Sequence, residues 1–316
     1  MQRAPEVRHL AFSLMCTLAV APAWGQGFAD DLARRFAESE ITFQRGRSVA
    51  PFLPLASLSV STYANTEVET NDGQNLQYDL DSVSQYAVLP ILASPKDAFF
   101  VGEYLSYSDF DVADDLVEDF DVTSIGLPLG WLRQSSEDWQ VGGFVMPLAH
   151  NSSLDEANWS VQYMGGAFSR YVASEDVWWL FGLYVNIAPE EDYYIPYVGA
   201  SWAIDEHWTL SAIMPWPAIL YAPNRDWLFS LGASPSGASW NISSGRDDVA
   251  VNYDAWDIDL RAERRIHGNL WLGARAGVGG LRGVRLSGSD FDWPDFDVGS
   301  SGFFAVDLNF RPSASQ

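Results

Sequence analysis

The chain of 316 residues contains one cysteine, one lysine, four histidines and no run of eighteen apolar residues. Each scarcity excludes something. Cys16 lies inside the apolar run Leu10–Val20 and follows the bulky Met15, whereas a lipoprotein site wants a small residue there. If that run is a removed leader, the mature chain has no thiol, so disulfide and thiolate chemistry are excluded. Lys96 is the sole lysine, and Lys plus Arg total 18 against 42 Asp plus Glu, a formal net charge of -24. A polyanion of this kind repels phosphates, so no nucleic-acid partner is expected. The want of a long apolar run excludes a membrane-spanning helix. No pair of histidines has zinc-ligand spacing, and His9 falls in the leader. No glycine-rich phosphate loop follows a strand and opens a helix; "GVGGLRG" (277–283) reads as backbone bends. Neither a metal nor another cofactor is expected.

Three kinds of pattern are present in quantity. At the N-terminus, Arg3 and Arg8 precede the apolar run, and Ala21, Ala23 and Gly25 suit cleavage near Gln26. Residues 1–25 therefore read as an export signal. Next, "FADDLARRFAES" (28–39) places Phe28, Leu32 and Phe36 at helical spacing, and a basic, proline-containing stretch, "QRGRSVAPFLP", follows. Residues 26–53 are expected to form a segment with a short helix, lying in the periplasm or plugging a lumen.

From about Leu55 onward the pattern is of strands. In "DIDLRAERR" (257–265), Asp257, Asp259, Arg261 and Glu263 alternate with Ile258, Leu260 and Ala262. Successive strand residues point to opposite faces, so one face is apolar and the other a ladder of mixed charge. "LQYDLD" (76–81) alternates as well, setting Leu76, Tyr78 and Leu80 against Gln77, Asp79 and Asp81. Short turns that place an acid or Asn just before aromatics ("SPKDAFF", "SSEDW", "SEDVWW", "DEHW", "HGNLW") alternate with longer acidic loops at 65–75, 109–119, 150–158, 244–248 and 287–297. That asymmetry belongs to an up-and-down barrel in the outer membrane, with short periplasmic turns and long external loops. The last strand, "FFAVDLNF", puts Phe304, Val306, Leu308 and Phe310 on one face and Ala305, Asp307 and Asn309 on the other.

The fold class expected is all-β: an up-and-down transmembrane β-barrel of about fourteen strands (twelve to sixteen) over residues 54–312, with a tail at 313–316. The soluble alternative is a β-sandwich with one wet face. Region 205–245, with three closely spaced prolines in "IMPWPAILYAPNRDWLF", admits a bulge, a short hairpin or a bend.

Residues 193–240 resemble part of an uncharacterised family of outer-membrane β-barrel proteins. The likeness rests on Pro196 and Gly199 in "IPYVGASW", Trp208, Leu210, Pro215, Pro217, Tyr221, Gly232 and Trp240. It implies a barrel and an outer-membrane location, and no catalytic residue.

The charges on the polar strand faces, Asp257, Asp259, Arg261, Glu263, Arg275, Asp79, Asp81 and Asp307, are expected to face the lumen. Arg275 would pair with Asp259 or Glu263. The function expected is a porin-like passive channel with cation preference, given the acid excess. The alternative is a closed structural or binding barrel displaying acidic loops. Asp109, Asp111, Asp114, Asp115, Glu118 and Asp119 do not match the EF-hand spacing, nor do Asp290, Asp292, Asp295 and Asp297, so both groups read as solvated loops. Expected partners are outer-membrane lipid and lipopolysaccharide, the barrel-assembly machinery through the strand ending at Phe310, and small solutes or cations.

The protein is not expected to be an enzyme. One minority reading is a lipid acyl hydrolase built on His150 and Ser152 in "AHNSS", an H-x-S pair on one strand face. This pair resembles an arrangement in outer-membrane phospholipase and lipid A deacylase. The phospholipase's longer signature is absent. Asp155, Glu156 and Asn158 are the nearby groups that would orient the imidazole.

Overall fold

The computed structural model describes residues 31–311, apart from 32–33, 37, 42–47, 70–74, 114–118, 156–158, 189–191, 215, 237, 245–246, 289–290 and 293–295. The expected signal, the tail at 313–316, Asp114, Asp115, Glu118, Glu156, Asn158, Asp290 and Asp295 lie outside the described residues.

Fourteen strands, each antiparallel to its neighbours, close into one ring. In chain order they are β1 (Ala56–Glu69), β2 (Asn75–Leu92), β3 (Asp97–Val112), β4 (Phe120–Gly126 and Leu129–Gln134), β5 (Trp139–Ser152), β6 (Ser160–Val172) and β7 (Val177–Ile187). The second half comprises β8 (Asp192–Ala203), β9 (Trp208–Ala212), β10 (Ala218–Asn224), β11 (Trp227–Pro235 and Ala238–Ser244), β12 (Asp247–His267), β13 (Leu270–Gly288) and β14 (Phe291–Asp292, Phe296–Val298 and Ser301–Phe310). β14 pairs with β1 from Ala56↔Phe310 to Ala64↔Gly302, which closes the ring. Closure removes both sheet edges over that span and answers the choice between barrel and open sandwich.

The short turns share one design. The amides of Ala93, Ser135, Ala173 and Ile204 each donate to the carbonyl four residues on, at 2.8–2.9 Å. Ser94 Oγ, Ser174 Oγ and Asp205 Oδ1 then accept from the backbone amides two and three residues later. These are local side-chain turns that replace ladder bonds where the chain reverses. The β12–β13 turn uses Gly268 at φ 51°, a conformation suited to glycine.

Side-chain alternation assigns the faces. Phe99, Trp131, Val145, Leu231, Leu260 and Val306 are 37–66% exposed, while the residues beside them along the strands turn the other way. In a closed ring, buried alternates such as Ala98, Leu132, Asp259 and Ala305 belong to the interior. The outside is therefore apolar and aromatic, as the alternation in 257–263 predicts.

Strand length brings one departure from the sequence expectation and settles one choice that the sequence left open. Parts of the expected acidic loops are strand: β1 runs to Glu69, β2 begins at Asn75, and β3 carries Asp109 and Asp111. Region 205–245 resolves into the short hairpin β9–β10 and the taller β11. β9 has only 5 residues, whereas β12 has 21, so the wall dips on one side. Beside that dip, β8 pairs with β9 only over Ala200–Ala203, and Pro196 stands in the part of β8 that β9 does not reach. A proline there withholds one edge donor, which guards an unpaired strand.

Candidate functional site

The barrel's interior is the candidate site, and strand register places its residues. On the β11–β1 wall, Ser234↔Asp257↔Gly279, Gly232↔Asp259↔Gly277, Ser230↔Arg261↔Arg275 and Leu228↔Glu263↔Gly273 form successive rungs. Gly273 then pairs with Asp307, and Asp307 with Ser59. Each charge has a small residue on at least one side, which leaves room for it; a side chain at Gly277 would collide with the Ile258 carbonyl and Asp259.

Asp257, Asp259, Glu263 and Asp307 are all buried on the inner face, and Arg261 and Arg275 are partly exposed there. Tyr63 donates to Asp257 at 2.6 Å. Glu263 is the best-held carboxylate. Arg311 grips it through Nε at 3.1 Å and through Nη2 at 2.7 and 2.9 Å, and Asn309 donates at 3.0 Å. Such a two-pronged guanidinium–carboxylate contact is among the strongest protein hydrogen-bond geometries.

The expectation that Arg275 pairs with Asp259 or Glu263 is corrected by the register. Arg275 stands directly opposite Arg261, and its ion-pair partner is Asp307 at 3.7 Å, with Ser59 Oγ accepting at 3.4 Å. Arg261 takes Glu263, also at 3.7 Å.

Asp79 and Asp81 do not lie with this cluster. Both are exposed, and the alternates Tyr78 and Leu80 are buried at 8% and 7%. Leu80 pairs with Tyr63 and Phe110, and Tyr78 and Phe110 make ring contact on the inside. Register sets this: Asp81 pairs with Thr62, itself opposite the outward-facing Phe304, and Leu80 pairs with the inward-facing Tyr63. A bulge in β1 between Tyr63 and Thr66, where Asn65 adopts φ 53°, brings the Asn65 amide to Asp79 Oδ1 at 2.7 Å. Asp79 anchors that bulge from outside, and the aromatic cluster fills the upper interior in place of the charges.

Described residues of the N-terminal segment pack against the lower interior. Residues 31 and 34–36 are helical, and Phe36 and Ile41 pack with the inward-facing Ala98, Leu132, Phe100 and Phe168. On the opposite wall, Val49 and Ala50 pack with Ala222, Leu228 and Trp271. Backbone bonds tie the segment to two short turns, Glu40 N to Pro95 O and Val49 N to Glu206 O, both 2.8 Å. Arg311 Nη1 donates to the Phe52 carbonyl, so the arginine that holds Glu263 also holds this segment. Sequence reasoning missed Arg311, because it lies beyond the last alternating residue and no periodicity marks it.

His150 and Ser152 share the inner face and are both buried, but they are not bonded to each other. His150 Nδ1 is 2.7 Å from Ser124 Oγ on β4, and its Nε2 is 3.1 Å from Gln162 Oε1 on β6. Gln162 Nε2 in turn donates to Asn186 Oδ1 at 2.6 Å. The imidazole is thus oriented by Gln162.

Not all the inward face is filled. Phe144 is 36% exposed and Ile195 51% exposed, although register turns both inward: Phe144 pairs with Gly130 and Gly166, and Ile195 with Tyr184. Beyond the dip, the backbone of the 238–244 run of β11 lies beside β5, β6 and the Ser153–Asp155 turn, across the mouth.

No family model matches the chain, and no curated protein matches it. Among solved structures, it is similar to a Pseudomonas aeruginosa FadL homologue, at 10% identity and TM-score 0.43, covering 82% of this chain and 90% of that one. It is also similar to the P. putida toluene transporter TodX, at 9% identity and TM-score 0.37, covering 83% and 90%. The beta domain of the Bordetella autotransporter BrkA is similar at 7% identity and TM-score 0.33, covering 82% and 100%.

Proposed function

We propose that this protein is an outer-membrane barrel that acts as a passive conduit for small solutes, held closed at its lower end by its own N-terminal segment. The observation that carries the reading is a closed ring with an apolar outside and an interior only partly filled. Apolar side chains such as Leu260, 66% exposed, are matched to acyl chains; in water they would form an unusually large apolar patch. Ile195 and Phe144 border interior space, whereas Phe36, Ile41, Val49 and Ala50 fill the opposite end.

The lumen's charges argue for weak ion selectivity, in place of the cation preference that the acid excess suggests. Among Asp257, Asp259, Glu263, Asp307, Arg261, Arg275 and Arg311, four carboxylates face three guanidiniums. The carboxylates are sealed: the Glu263 and Asp307 side chains are 0% and 5% exposed, against 29% and 18% for Arg261 and Arg275. Along this wall, among the described residues, the acid excess is thus not displayed to the lumen. The exposed apolar residues at the dip, Ile195, Met214 and Trp216, favour a solute with an apolar body.

Planar-bilayer recording tests the proposal. The full chain is expected to conduct rarely, and Ile41→Asp with Val49→Asp, which puts charge into both apolar seats, is expected to raise open time. A well-folded double variant that never conducts would sink the conduit reading.

A further inference from the structure

The Ser124–His150–Gln162–Asn186 chain has a direction. Asn186 Oδ1 accepts from Gln162 Nε2 at 2.6 Å, which fixes the Gln162 amide so that its oxygen faces His150. That oxygen can only accept, so the imidazole proton sits on Nε2. Nδ1 is then a bare acceptor, and the hydroxyl 2.7 Å away must donate to it. The network therefore polarises the Ser124 hydroxyl toward a neutral imidazole whose tautomer is held by a third group, the arrangement that activates a serine for attack. Ser106 pairs directly with Ser124 across the β3–β4 ladder, and no other group among the described residues claims its hydroxyl. Cross-strand neighbours on one face stand about 5 Å apart at Cβ, so Ser106 can donate to an oxygen bound beside Ser124.

We propose that Ser124 is a nucleophile of a lumen-facing acyl-transfer site, with His150 as its base and Gln162 as the positioning residue, and that its substrates are small carboxylic esters. Ser124 Oγ bonds to the ester carbonyl carbon while its proton passes to His150 Nδ1. The carbonyl oxygen, now an oxyanion, receives the Ser106 hydroxyl. Collapse breaks the bond to the alkoxy oxygen, which leaves as the alcohol with the proton from Nδ1. Water from the lumen then attacks the acyl-serine, giving its proton to Nδ1. Release of the carboxylic acid returns the proton to Ser124. Throughout, Gln162 Oε1 accepts from Nε2–H, including in the imidazolium. Membrane phospholipid is not the substrate class, because Ile125 and Ala149, the neighbours of Ser124 and His150, face outward while the pair faces in. The site requires entry of a small molecule into the lumen and no net conduction across it.

The test uses the full processed chain in detergent micelles, with barrel integrity checked by heat-modifiable migration. A fluorophosphonate probe is expected to label the peptide containing Ser124, and p-nitrophenyl butyrate to be hydrolysed with a rate that rises with pH through the imidazole range. Ser124→Ala should cut hydrolysis about 100-fold or more and abolish labelling. Gln162→Ala should slow it about 10-fold and shift the pH profile, a readout that a merely structural residue would not move. Ser152→Ala should leave the rate unchanged. An intact barrel in which Ser124 stays unlabelled overturns the proposal, as does hydrolysis that survives Ser124→Ala or is lost in Ser152→Ala alone.

Discussion

Glu263→Gln isolates the contact that joins the barrel wall to the N-terminal segment. The carboxylate is fully buried and takes three bonds from Arg311, the shortest at 2.7 Å, while Arg311 also holds the Phe52 carbonyl. Removing one member of a buried ion pair leaves the other charge without compensation, at a cost of about 3–5 kcal/mol. The glutamine oxygen still accepts one bond, which returns about 1 kcal/mol, so the expected net loss is about 3 kcal/mol. At about 1.4 kcal/mol per tenfold, that loosens the seated segment by roughly 150-fold. Replacing both partners (Glu263→Gln with Arg311→Met) removes the orphaned charge and should recover about 2 kcal/mol relative to simple addition of the single losses. The assay is a double-mutant cycle on denaturant unfolding of the reconstituted barrel, with protease clipping of residues 26–53 as a local readout. Single losses that add within about 0.5 kcal/mol would refute the reasoning, because independent sites add and members of one network do not.

Three further outcomes are expected. Leu260→Arg, on the outer face, should destabilise the reconstituted barrel by about 2–4 kcal/mol, whereas Asp79→Arg, on the upper outer wall, should cost far less; equal losses in a bilayer titration would contradict the face assignment. Gly277→Ala should destabilise measurably because a methyl there meets the Ile258 carbonyl, while Gly302→Ala, with nothing within 4 Å, should be neutral in the same unfolding assay. Finally, the amides of Trp208 and His207 hold the Asp205 carboxyl below its ordinary value of 3.8. A depressed carboxylate stabilises above its unfolded value and loses that contribution as pH falls through the lower folded value. Exchange protection of the His207 and Trp208 amides should therefore persist at pH 5 and vanish in stronger acid, and Asp205→Ala should lose it at every pH.

What could be read from the sequence was whatever repeats along a strand. Ile258, Leu260 and Ala262 against Asp257, Asp259, Arg261 and Glu263 gave the faces of β12 because that strand is regular there. The same logic misplaced Asp79 and Asp81. Register sets Leu80 opposite the inward-facing Tyr63, and the upper interior is filled by Tyr78, Leu80 and Phe110. Alternation says that two faces differ, but above an apolar band it does not say which is inside. Pairing between charges was illegible for another reason: Arg275 opposite Arg261 is set by register, which a strand's own pattern does not encode. The His150–Ser124 contact joins residues 26 apart on neighbouring strands, so local H-x-S spacing could not show which hydroxyl His150 contacts.

The central claim is that alternate residues of one strand see lipid and an enclosed interior. The only cysteine of the chain is Cys16, in the expected leader, so each engineered thiol is unique in the processed protein. Single substitutions Asp257→Cys, Ile258→Cys, Asp259→Cys and Leu260→Cys, each carrying a fluorophore, can be quenched in liposomes by nitroxides on the lipid acyl chains. The account predicts strong quenching at 258 and 260 and little at 257 and 259. Uniform quenching along the four positions, or none at any of them, would contradict it.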